Sequence, residues 1–210
     1  MNPQIRFGED LMSRVSFAMM NSNGAHQMTE SIRGAINDLL HELTEESNVP
    51  LTSILEISIV ANPVMHHILL GIDPCELGGA PFSLAIDTSV SEAAVNFGLN
   101  INPGGKVYVL PCIAGHVGAD TAGVILSEKP FSNEDLTLLV DVGTNAEVVL
   151  GNSKRLLACS SPTGPAFEGA QISCGQRATN GAIERVRIDS ESLEARIKVI
   201  GSENWSDNEE

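Results

Sequence analysis

Apolar side chains in the first third of the chain recur every three or four residues, which is the spacing of an amphipathic helix. The pattern predicts one helix over residues 8–20 and a second that begins at Thr29 and ends before residue 48. Asn62-Pro63 is typical of a helix start and Gly71 of a helix end, so a short third helix is predicted between them. The predicted apolar faces consist of Leu11, Met12, Val15 and Met19 in the first helix and of Ile32, Ile36, Leu39, Leu40 and Leu43 in the second.

Short apolar runs rich in β-branched residues predict strands in the rest of the chain. They alternate with helical segments, one of which follows a Gly-rich turn and ends near Lys129, while another is predicted to begin at Gly164. This alternation predicts an α/β fold in two parts, residues 1–135 and residues 136–210. The predicted strands are residues 55–61 and 106–111, the apolar runs 138–140 and 146–150 that flank the segment 141–145, and residues 155–160, 183–188 and 195–200.

The turn after the apolar run at 138–140 carries an acid, a glycine, a hydroxyl and an amide in close succession: Asp141, Gly143, Thr144 and Asn145. Glycine lets a ligand approach the backbone, and free N–H groups and a hydroxyl donate to phosphoryl oxygens. A carboxylate binds Mg²⁺ directly or through water. The pattern therefore predicts a phosphate-binding loop with Asp141 as a metal ligand, although similar turns also occur in hairpins that bind nothing.

Two other segments allow both a functional and a structural interpretation. Asp120 follows a Gly-rich turn at a predicted helix start. It either stabilises the helix dipole or projects into a cleft as a base or a holder of Mg²⁺-bound water. The hydroxyl-rich segment 160–170, which includes Gly164, either binds an anion at a helix N-terminus or caps the helix. Spacing alone leaves both alternatives open.

Composition restricts the partners and the compartment. The 210-residue chain has a net charge of −15, which argues against nucleic acid or an anionic membrane surface as a partner. It contains no apolar run long enough to span a bilayer. The adjacent His66 and His67 diverge on a helix, which favours a surface or hydrogen-bonded role over a metal site. Four cysteines are widely spaced and mostly have apolar or small neighbours, which predicts buried free thiols in a reducing cytoplasm: Cys75, Cys112, Cys159 and Cys174.

Several segments taken together resemble one family. They are Asp-x-Gly-Thr-Asn-Ala-Glu at 141–147, Gly-Pro-Ala-Phe-Glu-Gly-Ala at 164–170, and the segments 2–14, 62–67, 175–178 and 181–184. In this order they resemble the ASKHA-type (acetate and sugar kinase, Hsp70, actin) ATPase domain of the reductive activators of corrinoid proteins. The resemblance extends from Asn2 to about Val186. It implies a two-lobed, ribonuclease H-like α/β domain.

In such domains two lobes close on ATP, and two Asp-x-Gly-Thr hairpins grip its phosphates. The resemblance places Asp141, Gly143, Thr144 and Asn145 on the second hairpin, and it places Asp120 at the connection between the lobes. It implies ATP and Mg²⁺ as cofactors. The implied activity is ATP-driven reduction of a Co(II) corrinoid protein to Co(I), with electrons from an N-terminal [2Fe–2S] domain. Ala146 departs from the family, whose members often have glycine there.

The first phosphate hairpin, the adenosine-binding segment and the iron–sulfur domain have no counterpart in these residues. We therefore expect an incomplete ASKHA domain, an internal piece of a longer cytoplasmic protein, that does not hydrolyse ATP by itself. Two other functions stay open: a small-molecule kinase of the same superfamily, and a non-catalytic docking module with a vestigial nucleotide site. Exposed apolar area makes a homodimer an alternative to a monomer.

Overall fold

The computed structural model describes residues 3–143, 145–162 and 178–205. The chain divides into two compact units. One unit contains Met1–Asp141 and Glu147–Ser161, and the other contains Val142–Ala146 and Pro162–Glu210. Thr144, Cys174 and the helix predicted to begin at Gly164 lie outside the described residues.

Helices and strands alternate along the chain, as the α/β prediction requires. The helices are α1 (Leu11–Met20), α2 (Gly24–Ser47), α3 (Pro63–Leu70) and α4 (Ala119–Glu128). The strands are β1 (Glu56–Ile59), β2 (Val90–Ala93), β3 (Lys106–Val109), β4 (Thr137–Val142), β5 (Asn145–Asn152), β6 (Arg155–Pro162), β7 (Ile183–Ile188) and β8 (Ala195–Val199). Of these, β2 was not predicted. None of the helices within the described residues is long and apolar enough to cross a membrane.

Local signals fix the ends of α3. The side chain of Asn62 accepts a hydrogen bond from the Met65 amide at 2.9 Å, and Pro63 occupies the first turn. At the other end Gly71 adopts the left-handed conformation, with φ of 78°, that most other residues avoid. The boundaries predicted for this helix are confirmed.

The predicted start of α2 at Thr29 is wrong, because the helix begins five residues earlier, at Gly24. Thr29 is buried inside the helix, and its hydroxyl lies 2.7 Å from the Ile68 carbonyl at the end of α3. Arg33 donates to the neighbouring Leu69 carbonyl at 2.8 and 3.1 Å. These side chains satisfy carbonyls that the end of a helix leaves without intrahelical partners. Thr29 therefore links two helices instead of capping one.

A three-stranded sheet with the order β1-β3-β2 occupies the first unit. Strand β3 runs parallel to β1 and antiparallel to β2. Val107 and Val109 on β3 have no exposed surface. They belong to a cluster that contains Leu40, Leu69, Ala94, Phe97, Leu99 and Ile101 as well. The prediction of an apolar α2 face holds for Leu40, which is buried in this cluster, and for Ile32 and Ile36, which pack against it. Leu39 and Leu43, by contrast, are 55% and 56% exposed.

A second three-stranded sheet has the order β4-β5-β6. The turn between β5 and β6 is attached to the segment that follows α4. The Ser153 amide donates to the Asn133 carbonyl at 2.7 Å, and the Asn152 side chain donates to the Glu134 carbonyl at 2.8 Å. These bonds connect this sheet to the segment leading out of α4. In the other unit, β7 and β8 form an antiparallel pair, as predicted.

The prediction of buried thiols holds for one of the three described cysteines. Cys112 is buried, Cys75 is half-buried and Cys159 is exposed, and all three are unpaired. Burial raises the pKa of the Cys112 thiol to about 11, so this side chain remains a protonated, inert thiol at neutral pH.

Candidate functional site

The N-terminus of α4 is held against the end of β1 by main-chain hydrogen bonds. The amides of Ala119 and Asp120 donate to the Ala61 carbonyl at 2.9 and 3.3 Å. The next amide, of Thr121, donates to the Asp120 carboxylate at 2.8 Å. Three of the helix's first amides are therefore already engaged, and Asp120 does stabilise the start of its own helix, as the structural interpretation predicts.

The Asp120 carboxylate also lies in the electrostatic field of Asp141. Burial raises the pKa of Asp120, the bond from the Thr121 amide acts in the opposite direction, and the charge of Asp141 raises it further. A raised pKa means that the ionised form is disfavoured at this place. The structure thus brings together the two acids that the sequence places 21 residues apart, at the start of α4 and near the end of β4.

Glu147 is a third acid of this neighbourhood, and it was not among the predicted site residues. It lies on β5 and accepts a hydrogen bond from the Ser160 hydroxyl on β6 at 2.9 Å. Burial raises the pKa of Glu147, the Ser160 bond lowers it, and the charges of Asp120 and Asp141 raise it. The acid that closes the Asp-x-Gly-Thr-Asn-Ala-Glu motif is the sequence signal that could have identified it.

The turn between β4 and β5 is tight. The Gly143 amide donates to the Asn145 carbonyl at 2.9 Å. The donation of N–H groups of this turn to phosphoryl oxygens stays a prediction. A Cβ added at Gly143 would meet only that carbonyl, at an ordinary contact distance of 3.4 Å. Its φ is not positive either. The described residues therefore leave room for a Cβ at Gly143.

Asp120 and Asp141 are better suited to a magnesium ion that binds together with a phosphate than to one that protein ligands alone would hold. Among the described residues, no group of three or more His, Cys, Asp or Glu side chains is placed to hold a metal ion. Mg²⁺ is usually bound by one or two carboxylates together with waters and substrate phosphates. Asp120 and Asp141 supply two such carboxylates. Asp141 itself is exposed near the end of β4. The predicted separation of 4–8 Å between Asp120 and the Thr144 loop stays a prediction.

Gly118 is required for the geometry at the start of α4, and replacing it with alanine will destabilise the chain. A Cβ at this position would lie 2.5 Å from the Asp120 carboxylate, 2.7 Å from the Asn62 Cα and 2.8 Å from the Ala61 carbonyl. We expect a loss of about 1–3 kcal/mol in the free energy of unfolding, typical of overpacking. Urea denaturation of Gly118→Ala measures it.

The matched control for that substitution is Gly34→Ala in α2, where an added Cβ meets nothing within 4 Å. Alanine is a better helix former than glycine, so this variant should be more stable by about 0.5–1 kcal/mol. Equal effects of the two substitutions would contradict the proposed packing at the helix start.

The ASKHA class is shown by comparison with known proteins. Residues 135–206 match the model of the C-terminal domain of RACo, the ASKHA domain, and residues 1–129 match that of the RACo middle region. The chain therefore belongs to the RACo family. The first match ends at residue 129 and the second begins at residue 135, near the predicted boundary at 135/136. The assignment of residues 1–135 to a first ASKHA lobe stays a prediction.

Individual relatives are much longer than this chain. The corrinoid activation enzyme RamQ of Eubacterium limosum is 33% identical over 201 residues, which are 96% of this chain and 33% of RamQ. The [Co(II) methylated amine-specific corrinoid protein] reductase of Methanosarcina barkeri is 24% identical over 194 residues, 88% of this chain and 35% of that protein. The solved structure of a reductive activator for corrinoid, iron–sulfur protein superimposes with a TM-score of 0.81 at 35% identity and covers 95% of this chain and 32% of its own. The chain thus spans about a third of the length of these relatives.

Proposed function

We propose that this chain supplies one side of a nucleotide site in an ATP-dependent reductive activator of a corrinoid protein. The observation that carries the proposal is the juxtaposition of Asp120 with Asp141, directly before a glycine-containing turn in the chain. Membership of the RACo family and the names of the three relatives support the same reaction.

In this proposal each residue has a separate role. Asp141 and Asp120 orient Mg²⁺ through its bound waters, and Gly143 leaves room for the phosphate chain at the β4–β5 turn. Thr144 and Asn145 donate hydrogen bonds to phosphoryl oxygens, and Gly164 opens a second set of donors. When bound, Mg²⁺ would neutralise the charge that develops on the transferred phosphoryl group. ATP is the proposed nucleotide, and the electrons come from a [2Fe–2S] domain of the whole protein.

The proposed setting is the cytoplasm, with a corrinoid protein as the partner and without nucleic acid or membrane. A homodimer is the alternative to a monomer, because the face of β4 that carries Leu138 and Val140 is apolar and exposed in part, by 60% and 50%. Sedimentation equilibrium distinguishes the two states. The net charge of −15 opposes self-association, so we expect a monomer at low salt.

A chimera tests the proposed reaction directly. This chain replaces the aligned segment of the Eubacterium limosum relative, and the formation of Co(I) from a Co(II) corrinoid protein is followed by absorbance with and without ATP. We expect ATP-dependent reduction by the chimera. A folded chimera that binds the corrinoid protein without ATP-dependent reduction would instead support the docking module, and phosphorylation of a small molecule would support the kinase.

A further inference from the structure

Residues 79–89 lie between a short 3-10 turn and β2 and contain no helix or strand; we call this segment the strap. The strap is fastened at two points. The Ala85 amide donates to Nε2 of His67 on α3 at 3.0 Å. The ring of Phe82 packs edge-on against His116, with 4.3 Å between the ring centroids. The strap therefore connects α3 to the turn that precedes α4.

The core contacts of the strap make the same connection. Leu84 packs against the buried cluster beneath α1, α2 and α3, and it also packs against the cluster of Leu110, Cys112 and Ala119 at the start of α4. A Cβ added at Gly115 would overlap the Phe82 carbonyl, so the two main chains are in close contact there. Any movement of the strap therefore also disturbs the turn before α4.

His67 holds the strap in one protonation state only. Its Nδ1 lies 2.8 Å from the Pro63 carbonyl, which can only accept, so the proton sits on Nδ1. Its Nε2 accepts the Ala85 amide and therefore carries a lone pair. A second proton on Nε2 would place two donors against each other. Because His67 is only 1% exposed, the imidazolium could not turn to water without opening the strap.

The surroundings offer no compensating negative charge. Among the described residues, His67 forms no ion pair with a carboxylate. Burial lowers the pKa of His67, and the bond to Pro63 only partly opposes that effect. The acidic side chains that follow α3 or lie in the strap, Asp73, Glu76 and Asp87, are all exposed. The titratable groups on the surrounding elements include Arg14 on α1, Glu30 and Arg33 on α2, His66 on α3, Asp73, Cys75 and Glu76 after α3, Asp87 in the strap, and Cys112, His116 and Asp120 on the segment that the strap contacts.

We propose that His67 is a proton-operated latch, whose neutral form fastens the strap and whose protonated form releases it together with the turn before Asp120. Nucleotide binding at the site then weakens in acid. This consequence for Asp120 rests on the proposed function, whereas the latch itself does not. The latch adds a mode of regulation to the site, through contacts that contain no candidate nucleotide-binding residue.

The size of the effect follows from proton linkage. Opening the strap returns the pKa of His67 to about 6.5, the value of an exposed histidine. The open form then binds more protons than the closed form at any pH below that value. Each pH unit below about 6.5 favours opening by up to tenfold. Above about pH 7.5 the latch should be insensitive to pH.

Hydrogen exchange of the 210-residue chain tests the latch without any nucleotide. The protection of the Ala85 amide, corrected for intrinsic exchange, is compared at about pH 7.5 and about pH 5.5. Val109 in β3, which is fully buried, reports global unfolding, and Ala85 should be less protected than Val109 because it exchanges through the local opening of the strap. We expect about tenfold less protection of Ala85 at the lower pH. In His67→Gln, whose amide oxygen can still accept the Ala85 N–H, protection should not depend on pH. The exposed His26, replaced in His26→Gln, is the matched control and should behave as wild type.

Three results would overturn the latch: unchanged protection of Ala85, protection of Ala85 as high as that of Val109, or the same loss in His67→Gln. If that variant does not fold, ¹⁵N spectra of the wild-type imidazole decide. A proton on Nδ1 at neutral pH that gives way to the doubly protonated ring as Ala85 opens supports the latch, and a proton on Nε2 contradicts it. Failure of Mg·ATP to bind at either pH, with the exchange result intact, would contradict the nucleotide site alone.

Discussion

Replacing Asp141 with asparagine in the chimera will lower ATP-dependent reduction of the corrinoid protein by about a hundredfold to a thousandfold. The substitution keeps the size of the side chain and removes its charge. Phosphoryl transfer depends on positioning and on electrostatic stabilisation through the metal. Losing one group that stabilises the developing charge typically costs about 3–4 kcal/mol of transition-state stabilisation. The initial rate of Co(I) formation at saturating ATP measures it.

The control is Asp38→Asn, which removes the same charge from an exposed position on α2. It should leave the rate unchanged, because an exposed charge far along the chain from the β4–β5 turn is screened by solvent. A rate for Asp141→Asn within twofold of that control would remove Asp141 from the proposed site.

The second large effect concerns acid stability and originates at His66. This side chain is fully buried, and neither ring nitrogen meets hydrogen-bond geometry with any described residue. Burial lowers the pKa of His66, the neighbouring His67 lowers it further, and the main chain at Leu110 acts weakly in the opposite direction. The surface role left open for the two histidines is therefore wrong, and the hydrogen-bonded role holds for His67.

The sign of the pH effect follows from proton counting. Below about pH 6.5 the unfolded chain protonates His66 while the folded chain does not, so the free energy of unfolding falls as the pH falls. The loss is up to about 1.4 kcal/mol for each pH unit, until the lowered folded pKa is reached. Asp120 and Glu147, whose pKa values are raised, act in the opposite direction at lower pH, where the folded chain takes up protons first.

Urea denaturation at about pH 7.5 and about pH 5.5 measures this loss of stability. On acidification His66→Leu should lose less stability than the wild type, by up to about 1.4 kcal/mol for each pH unit below about 6.5. His41→Gln, at an exposed position on α2, should lose as much as the wild type. Stability of the wild type that rises over this interval would contradict the account of the buried histidine.

Capping residues, prolines and glycines predicted those elements whose ends are determined by residues next to them in the sequence. Asn62-Pro63 and Gly71 fixed α3 because a cap, a first-turn proline and a left-handed glycine act within one turn of chain. The predicted start of α2 at Thr29 was wrong because the Thr29 hydroxyl donates to the Ile68 carbonyl, a contact that only tertiary packing creates. The four residues of β2 were missed because a strand of that length shows no clear alternation.

The candidate site was predictable in part. Asp141 and Gly143 were identified from residue types within a single turn, and Asp120 from its position before a helix and from the family resemblance. Glu147 was missed because its partner Ser160 lies on a different strand, 13 residues away. The engagement of the Gly143 amide by Asn145 depends on the tightness of the turn, which residue types alone do not specify.

The central claim is that the β4–β5 turn binds the phosphates of Mg·ATP, and an NMR titration of the isolated chain tests it most directly. We expect saturable amide shifts at Gly143 and Asn145, with a dissociation constant on the order of 1 mM, or about 4 kcal/mol. Gly143→Ala should weaken binding with little change in stability, because the described residues leave room for its Cβ. Shifts confined to other residues, or binding that Gly143→Ala leaves intact, would contradict the claim.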